Sequence, residues 1–328
     1  MMTDIPTALF DLIQAPLRWQ VLKAGLDLNL FDHLAPAKGA EEIAACLSLE
    51  PRRAAVVLDA LCAMGLLDKE VGRYRLSVPA APYLLSAGEW SLRDMLLTLP
   101  ILRHGDVAAL LRGECGGPPL DLSDPAFWDR SAASLRSFHR GMGADVMAGL
   151  LESLPEWPSA CRFLDLGAGS ETLSLKVAER RPDMAVTVLD LPPLAARIAR
   201  AVAAAGPAGG RVTVIAGDFN DTDLGGVHDL IWASMTLYYA RDLVAVLAKA
   251  RRALAPGGAF VSFHEGLTDG RTAPETHVVG RLVPALRGLD VSFERGQIAA
   301  ALRHAGFSQV ESRDIETSFG PMVMDIGR

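Results

Sequence analysis

The stretch Arg162-Phe163-Leu164-Asp165-Leu166-Gly167-Ala168-Gly169-Ser170-Glu171-Thr172 places an acid two residues ahead of a glycine turn, between an apolar strand and a helix. Such a turn lets backbone N–H groups and a helix N-terminus approach a ligand closely. A dinucleotide site of the G-x-G-x-x-G kind needs a third glycine where Thr172 stands, and the Asp165 carboxylate would repel a diphosphate. The pattern therefore asks for a cofactor that carries a cation rather than phosphates. S-adenosylmethionine (SAM), with its ammonium and its sulfonium, meets that requirement.

The spacing downstream adds to this. Val186-Thr187-Val188-Leu189-Asp190 reads as a second strand ending in an acid 25 residues after Asp165, the place where such folds hold ribose hydroxyls. Leu191-Pro192-Pro193 follows it, and Val212 to Phe219 reads as a third strand. The first stretch resembles motif I (acidic-x-G-x-G-x-G) of class I SAM-dependent methyltransferases. Gly217-Asp218-Phe219 resembles the adenine-binding motif of small-molecule O-methyltransferases. The resemblance implies an α/β fold with a Rossmann-like, seven-stranded sheet, and cofactor contacts from Asp165, Gly167, Gly169, Asp190, Leu191, Asp218, Phe219, Met142 and Ser234. Another Rossmann-like nucleotide binder remains the alternative. One departure stands out: Glu171 occupies the family's third glycine. A carboxylate suits the first turn of a helix, but its bulk would crowd the methionine end of the cofactor.

Bulk properties narrow the function classes. At 328 residues, half of them apolar, the chain suits two domains and a sizeable core. No uninterrupted apolar run of about 18 residues is present, which argues against a membrane span. The start, Met1-Met2-Thr3-Asp4-Ile5-Pro6, lacks the features of a signal peptide, so a cytoplasmic location is expected. Cys46, Cys62, Cys115 and Cys161 are scattered without a C-x-x-C pair, so neither a zinc site nor a disulfide framework is expected. A net charge of −7 argues against a general affinity for nucleic acid.

The elements ahead of the glycine turn read as a helical domain. Apolar positions at helical spacing run from Ala8 to Leu34, with Pro16 and Gly25 as breaks. So apolar a start belongs against a partner. Ala40 to Leu47 and Pro51 to Met64 are predicted helices, and Leu66 to Lys69 with Arg73 to Ser77 a hairpin, together a helix-turn-helix with a wing. A DNA-binding regulator is one reading of that shape. After Arg52 and Arg53, however, the second helix offers few side chains able to reach bases or phosphates. Ahead of a SAM-type fold, the arrangement resembles the dimerisation domain of plant-type and bacterial small-molecule O-methyltransferases, which implies a homodimer. The expected division is a dimerisation domain over residues 1–100, connecting helices lining the acceptor pocket over 101–155, and the SAM-binding domain over 156–328.

The connecting helices are expected at 90–112 and 126–154, around the loop Gly113-Glu114-Cys115-Gly116-Gly117-Pro118-Pro119. Phe138-His139-Arg140-Gly141-Met142 resembles the family's F-x-x-A-M segment beside SAM; a plain core stripe of Phe138 and Met142 reads equally well. Later elements are a fourth strand at Asp229 to Ala233, a helix at Leu243 to Leu254, a turn at Pro256-Gly257-Gly258 and a fifth strand at Ala259 to Phe263.

The acceptor side departs from the family. There a histidine in Leu-His-Asp-Trp acts as base toward a phenol; here Leu237-Tyr238-Tyr239-Ala240 puts Tyr238 at that position, similar instead to bacteriochlorophyll C-20 methyltransferase. A tyrosine is a poor base at neutral pH. Three readings follow. The first is methylation of a carbon or an already nucleophilic acceptor. The second is an O-methyltransferase whose base has moved to His264, His139 or His277. The third is a homologue with non-methylating chemistry, such as decarboxylation or a pericyclic step. Trp128, Phe138, Met142, Trp232, Tyr238 and Tyr239 imply a planar, apolar acceptor, a small aromatic or tetrapyrrole-like molecule of secondary or pigment metabolism.

Overall fold

Phe163 and Leu164 are neighbours on one strand, point to opposite faces, and are both fully buried. Such a strand must lie between two layers of helix. In the computed structural model, which describes residues 4–114 and 124–328, it does. Strands β1 (Arg162–Leu166), β2 (Ala185–Asp190), β3 (Val212–Ala216), β4 (His228–Ser234), β5 (Leu254–His264), β6 (Val310–Ile315) and β7 (Met322–Gly327) form one sheet in the order β6-β7-β5-β4-β1-β2-β3. Neighbours are parallel except at β7, which runs antiparallel to both β5 and β6.

Helices α1 (Pro125–Phe138), α2 (Ala144–Glu152), α3 (Thr172–Arg180), α4 (Pro192–Ala204), α5 (Leu243–Arg252) and α6 (Gln297–His304) accompany the sheet. On one face Phe163, Trp232 and Phe263 pack with Met147 and Leu151 of α2 and Val177 of α3. On the other, Leu164, Ile231 and Phe260 pack with Leu247 of α5 and Leu302 of α6. Each such side chain contributes about 1.5–3 kcal/mol by leaving water, so the sheet is held rigid behind whatever its edge presents.

Several expected boundaries shift. β3 stops at Ala216, leaving Gly217-Asp218-Phe219 in the following loop. The turn expected at Pro256-Gly257-Gly258 is absorbed into β5, where the register to β4 shifts between His228 and Leu230 and Gly257 takes a φ of 77°. The helix expected over 126–154 is interrupted by a π turn at His139–Gly143, an irregularity that often marks a functional position. Of the loop expected at Gly113 to Pro119, the part from Cys115 onward lies outside the described residues.

The chain divides into two compact units, Met1–Leu97 and Thr98–Arg328; helix Arg93–Arg103 runs across that division. In the first unit, helix Ile5–Asp27 runs unbroken through both Pro16 and Gly25, contrary to expectation. Pro16 removes one backbone donor without ending the helix. Gly25 is a close-packing site: a Cβ there would lie 2.8 Å from Cζ of Phe31. Helices Ala40–Leu47 and Pro51–Ala63 follow, the latter capped by Glu50, whose carboxylate accepts from the N–H groups of Arg52 and Arg53. Strands Leu67–Glu70 and Arg73–Leu76 form the wing, and Lys38–Gly39 pairs with the second of them. Val71 and Gly72 turn the hairpin at φ values of 48° and 77°, the left-handed pair that a two-residue turn requires.

Asp59 on the second of these helices accepts from Lys69 Nζ at 2.6 Å and from the Tyr74 hydroxyl at 2.8 Å. On helix Ile5–Asp27 the side chains of Ile5, Leu9, Phe10, Leu12, Ile13 and Leu17 are all exposed. Among the described residues no helix is long and apolar enough to cross a membrane, and Cys46, Cys62 and Cys161 are free thiols.

Candidate cofactor and acceptor site

Parallel strands leave unpaired backbone groups and helix N-termini at their carboxyl edge, and ligands collect there. β1 ends at Leu166, and the chain turns through Gly167 and Gly169 at φ values of 69° and 68°. Only glycine adopts these without strain. Gly167 also has no room for a side chain: a Cβ would lie 2.2 Å from Oγ1 of Thr236 in the loop after β4. The turn is tied to β2, since Gly167 N–H donates to the Leu189 carbonyl at 2.8 Å. The Asp190 carboxylate accepts from Gly169 N–H and Leu191 N–H, both at 2.7 Å. Asp165 lies behind the turn, accepting from the Ser174 hydroxyl of α3 at 2.7 Å.

Both carboxylates are buried, and among the described residues neither has a cationic partner. Burial pushes Asp165 up to about 7, with the Ser174 hydrogen bond opposing and the neighbouring Asp190 charge adding. Asp190 is pushed up to about 6 by burial, against its two backbone hydrogen bonds. Two uncompensated carboxylates beside an open backbone turn fit a cationic nucleoside and disfavour a diphosphate. The Ser234 hydroxyl, at the end of β4, is buried without a hydrogen-bond partner among the described residues, and Leu191 offers an exposed apolar side chain next to Asp190.

The Glu171 carboxylate has a counter-charge of its own. It is 3% exposed, turns toward α1 and pairs with Arg136 through Nε at 2.6 Å and Nη2 at 3.0 Å. The π turn that follows α1 sends His139 to the glycine turn, its Nδ1 at 2.7 Å from the Ser170 hydroxyl. Ser170 Oγ also accepts from Thr172 N–H and donates to Thr172 Oγ1, so Nδ1 carries the His139 proton. Burial holds this imidazole down to about 4, neutral at ordinary pH. It braces the glycine turn.

Other expected cofactor residues divide. Asp218 closes its own loop, accepting from Asn220 N–H and Nδ2 at 2.8 and 2.7 Å. Phe219, in the loop after β3, is buried with Leu166, Leu189, Leu224 and Leu237. Met142 sits half-buried in the π turn. Phe138 packs edge-on against Phe319 at 5.0 Å.

On the acceptor side Tyr238 lies in the 3-10 turn Leu237–Tyr239 after β4. Burial pushes its hydroxyl far above the usual phenol range, with Arg281 opposing, so it keeps its proton at neutral pH. The His264 ring is engaged by the loop after β4. Its Nε2 accepts the N–H groups of Thr236 and Leu237, each at 3.0 Å; the proton therefore sits on Nδ1, 3.4 Å from Ser262 Oγ. Burial holds this ring down to about 3. His264 fixes the loop that packs Thr236 onto Gly167. His277 Nε2 is bonded to the Pro321 carbonyl at 2.6 Å, a structural use. Sequence reasoning passed over Ser174, Thr236, Arg136, and the Glu265–Arg281 pair. Only Arg136 had a signal: a glutamate in a glycine position of a buried turn demands a counter-charge on a neighbouring helix.

A seven-stranded sheet with a single antiparallel strand, a glycine turn after β1 and a ribose-type acid after β2 defines a Rossmann-like methyltransferase. The chain belongs to the SAM-dependent methyltransferases that carry an O-methyltransferase dimerisation domain: residues 10–86 match that domain, and residues 163–258 match the methyltransferase domain. It is 34% identical over 194 residues to the malonyl-[acyl-carrier protein] O-methyltransferase of Geobacter sulfurreducens, covering 54% of this chain and 71% of that one. With the 3-hydroxy-5-methyl-1-naphthoate 3-O-methyltransferase of Streptomyces sahachiroi it shares 27% identity over 321 residues, covering 94% and 91%. The structure of an O-methyltransferase family protein from Burkholderia thailandensis superposes with a TM-score of 0.82 at 23% identity, covering 100% of this chain and 98% of that one. The cofactor is SAM, and the protein is a methyltransferase.

Proposed function

We propose that the acceptor is a small planar molecule, aromatic or tetrapyrrole-like, methylated on carbon or oxygen in secondary or pigment metabolism, and that the active species is a cytoplasmic homodimer without affinity for nucleic acid. The observation that carries the acceptor reading is the state of Tyr238 and His264: one is held neutral by burial, the other has its lone pair committed to two amides. The site is therefore suited to an acceptor that is already nucleophilic, an electron-rich ring carbon or a readily ionised phenol. Support for planarity comes from the rings of Tyr238, Tyr239, His264 and Phe293, which pack mutually at 4.9 to 6.1 Å. The naphthoate relative, which spans nearly the whole chain, acts on a fused aromatic.

When bound, SAM supplies an electrophilic methyl group on a sulfonium. The turn at Gly167–Gly169, with Asp165 behind it, would hold the amino-acid end, and the remaining lone pairs of Asp190 would take the ribose hydroxyl protons. Leu191 and the Ser234 hydroxyl complete the cofactor side. Tyr238 and its neighbours align the acceptor and exclude water, and alignment supplies much of the rate in an in-line displacement. The exposed apolar face from Ile5 to Leu17 supports the dimer, as does the dimerisation-domain match. Residues 101–155 are assigned to the acceptor pocket.

Calorimetric titration with SAM and S-adenosylhomocysteine (SAH), followed by a methyl-acceptance screen of polyhydroxynaphthalenes, simple phenols and tetrapyrroles, tests this. Cofactor binding with methyl transfer to one of these classes is the expected result. Tight SAH binding with methyl transfer only to aliphatic carboxylates or amines would overturn the acceptor class, and a monomer by light scattering would overturn the dimer.

A further inference from the structure

Four charged or phenolic side chains meet at the acceptor edge of the sheet, and their charges do not cancel. Glu265, next after β5, forms a buried ion pair with Arg281. The Arg281 guanidinium lies over the Tyr238 ring, 5.2 Å from its centroid, and Tyr238 is neutral. The second cation is Arg103, at the end of helix Arg93–Arg103. Its Nη1 lies 3.3 Å from where a Cβ of Gly280 would stand, close to the backbone next to Arg281. Arg103 is half-buried. Among the described residues it has no hydrogen bond or ion pair. Burial and the like charge of Arg281 both act against its proton, Glu265 and Tyr238 in its favour.

Among the described residues, two guanidinium groups and one carboxylate leave one positive charge uncompensated against an aromatic wall. A partly desolvated cation without a partner is costly, and a guanidinium is the group best shaped to take a carboxylate through two parallel hydrogen bonds. The cluster also has the right address: Tyr238 is two residues from Thr236, which packs on the cofactor turn at Gly167. We propose that Arg103, set beside the Glu265–Arg281 pair and Tyr238, is a carboxylate-recognition subsite, and that the acceptor is an aromatic acid. This rests on the methyltransferase reading and names its substrate class more narrowly. Arg281, already satisfied by Glu265, orients the cluster; Arg103 makes the contact. Glu265 in turn keeps the site from holding two unpaired cations.

The test is direct titration of SAH-loaded protein with 3-hydroxy-1-naphthoate and with its carboxamide, which keeps the ring and removes the charge. The acid should bind about tenfold more tightly, the scale of one charge-assisted contact. Arg103→Met should bring that ratio close to one, and Arg103→Lys should retain part of it, with SAH affinity reporting that each variant is folded. Gly280→Ala should also lower the ratio by displacing the guanidinium. An equal affinity for acid and amide in the unaltered protein, a preference that survives in Arg103→Met, or binding of neither compound would each overturn the subsite. Absence of methyl transfer with the acid preference intact would bring down the functional reading and leave the subsite standing.

Discussion

The two halves of the sheet's carboxyl edge are built on different principles. At the ends of β1 and β2 the contacts that shape the site are backbone contacts: Gly167 N–H to Leu189, Gly169 and Leu191 N–H to Asp190. At the ends of β4 and β5 they are side-chain contacts among Tyr238, His264, Glu265, Arg281 and Phe293. A backbone site depends on a few glycines and acids near one another in the chain. A side-chain site can be rebuilt residue by residue, which is how a family keeps one cofactor and changes acceptors. The residue that joins the halves is Thr236, held from one side by His264 and pressed against Gly167 on the other.

The sharpest way to test the backbone half is Gly167→Ala. The new Cβ would overlap Thr236 at a φ that disfavours alanine, so a loss of at least about 3 kcal/mol of stability and of about 100-fold in SAH affinity is expected. Gly257→Ala is the control: its φ is 77° but nothing lies within 4 Å of its Cβ, so about 1 kcal/mol is expected with SAH affinity unchanged. Equal effects of the two on SAH titration and thermal melting would mean that the Thr236 contact is unimportant.

His264→Ala probes the join. It would leave the amides of Thr236 and Leu237 without an acceptor in a buried place, at about 2–4 kcal/mol. The loop should loosen and turnover should fall, yet the residual rate should keep the shape of its pH profile. Loss of an acid limb near pH 6 to 7 would instead identify His264 as a base.

These contrasts also explain what could be read in advance. Asp165, Gly167, Gly169 and Asp190 stand at strand ends with local spacing, so strand periodicity alone brings them together. The first five strands and the winged unit were visible because apolar alternation and helical spacing are local signals, whereas the seven-stranded sheet was implied by the family resemblance. Glu171 and Arg136 are 35 residues apart, and His264 binds amides 27 and 28 residues away; no local pattern announces either. Helix Ile5–Asp27 ran through Pro16 and Gly25 because breaker residues carry a cost, not a prohibition, and Phe31 turns the missing Cβ of Gly25 into a packing site. β5 kept Gly257 because a register shift can hold a turn residue inside a strand. The third strand was read to Phe219 but ends at Ala216, because Gly217 and Asp218 break its apolar alternation.

The carboxylates of the cofactor half predict a pH effect of intermediate size. Asp190 and Asp165 have folded values near 6 and 7, above the unfolded value of about 4. The cofactor-free protein therefore holds these protons more tightly than its unfolded chain. Their contribution to its stability is full at about pH 4 and is lost as pH rises through about 6 and 7. Ligand binding has the opposite sign, since the ribose needs an ionised Asp190. SAH affinity measured by calorimetry should rise about tenfold from pH 5 to 7 and then level off; a flat profile would remove Asp190 from the ribose.

Glu171→Gly restores the family's glycine and should matter less for binding, because the carboxylate already faces Arg136. Arg136 is about a third exposed, which discounts the ion pair to about 1–2 kcal/mol of stability. SAH affinity should move by less than about threefold; a larger gain in the same titration would mean that Glu171 does crowd the methionine end.

The smallest effect is expected where the family places its base. Tyr238→Phe keeps the ring that packs on His264 and Phe293 and removes only a hydroxyl that burial keeps protonated. If the acceptor half works by alignment, kcat with the best acceptor should change by less than about threefold, while KM rises modestly as Arg281 loses a neighbour. A fall of about 100-fold in kcat at unchanged KM would have the opposite meaning. The hydroxyl would then be handling a proton in the transition state, Arg281 would be the group that lowers its cost, and the two halves of the edge would both be chemical rather than one holding the cofactor and the other the acceptor.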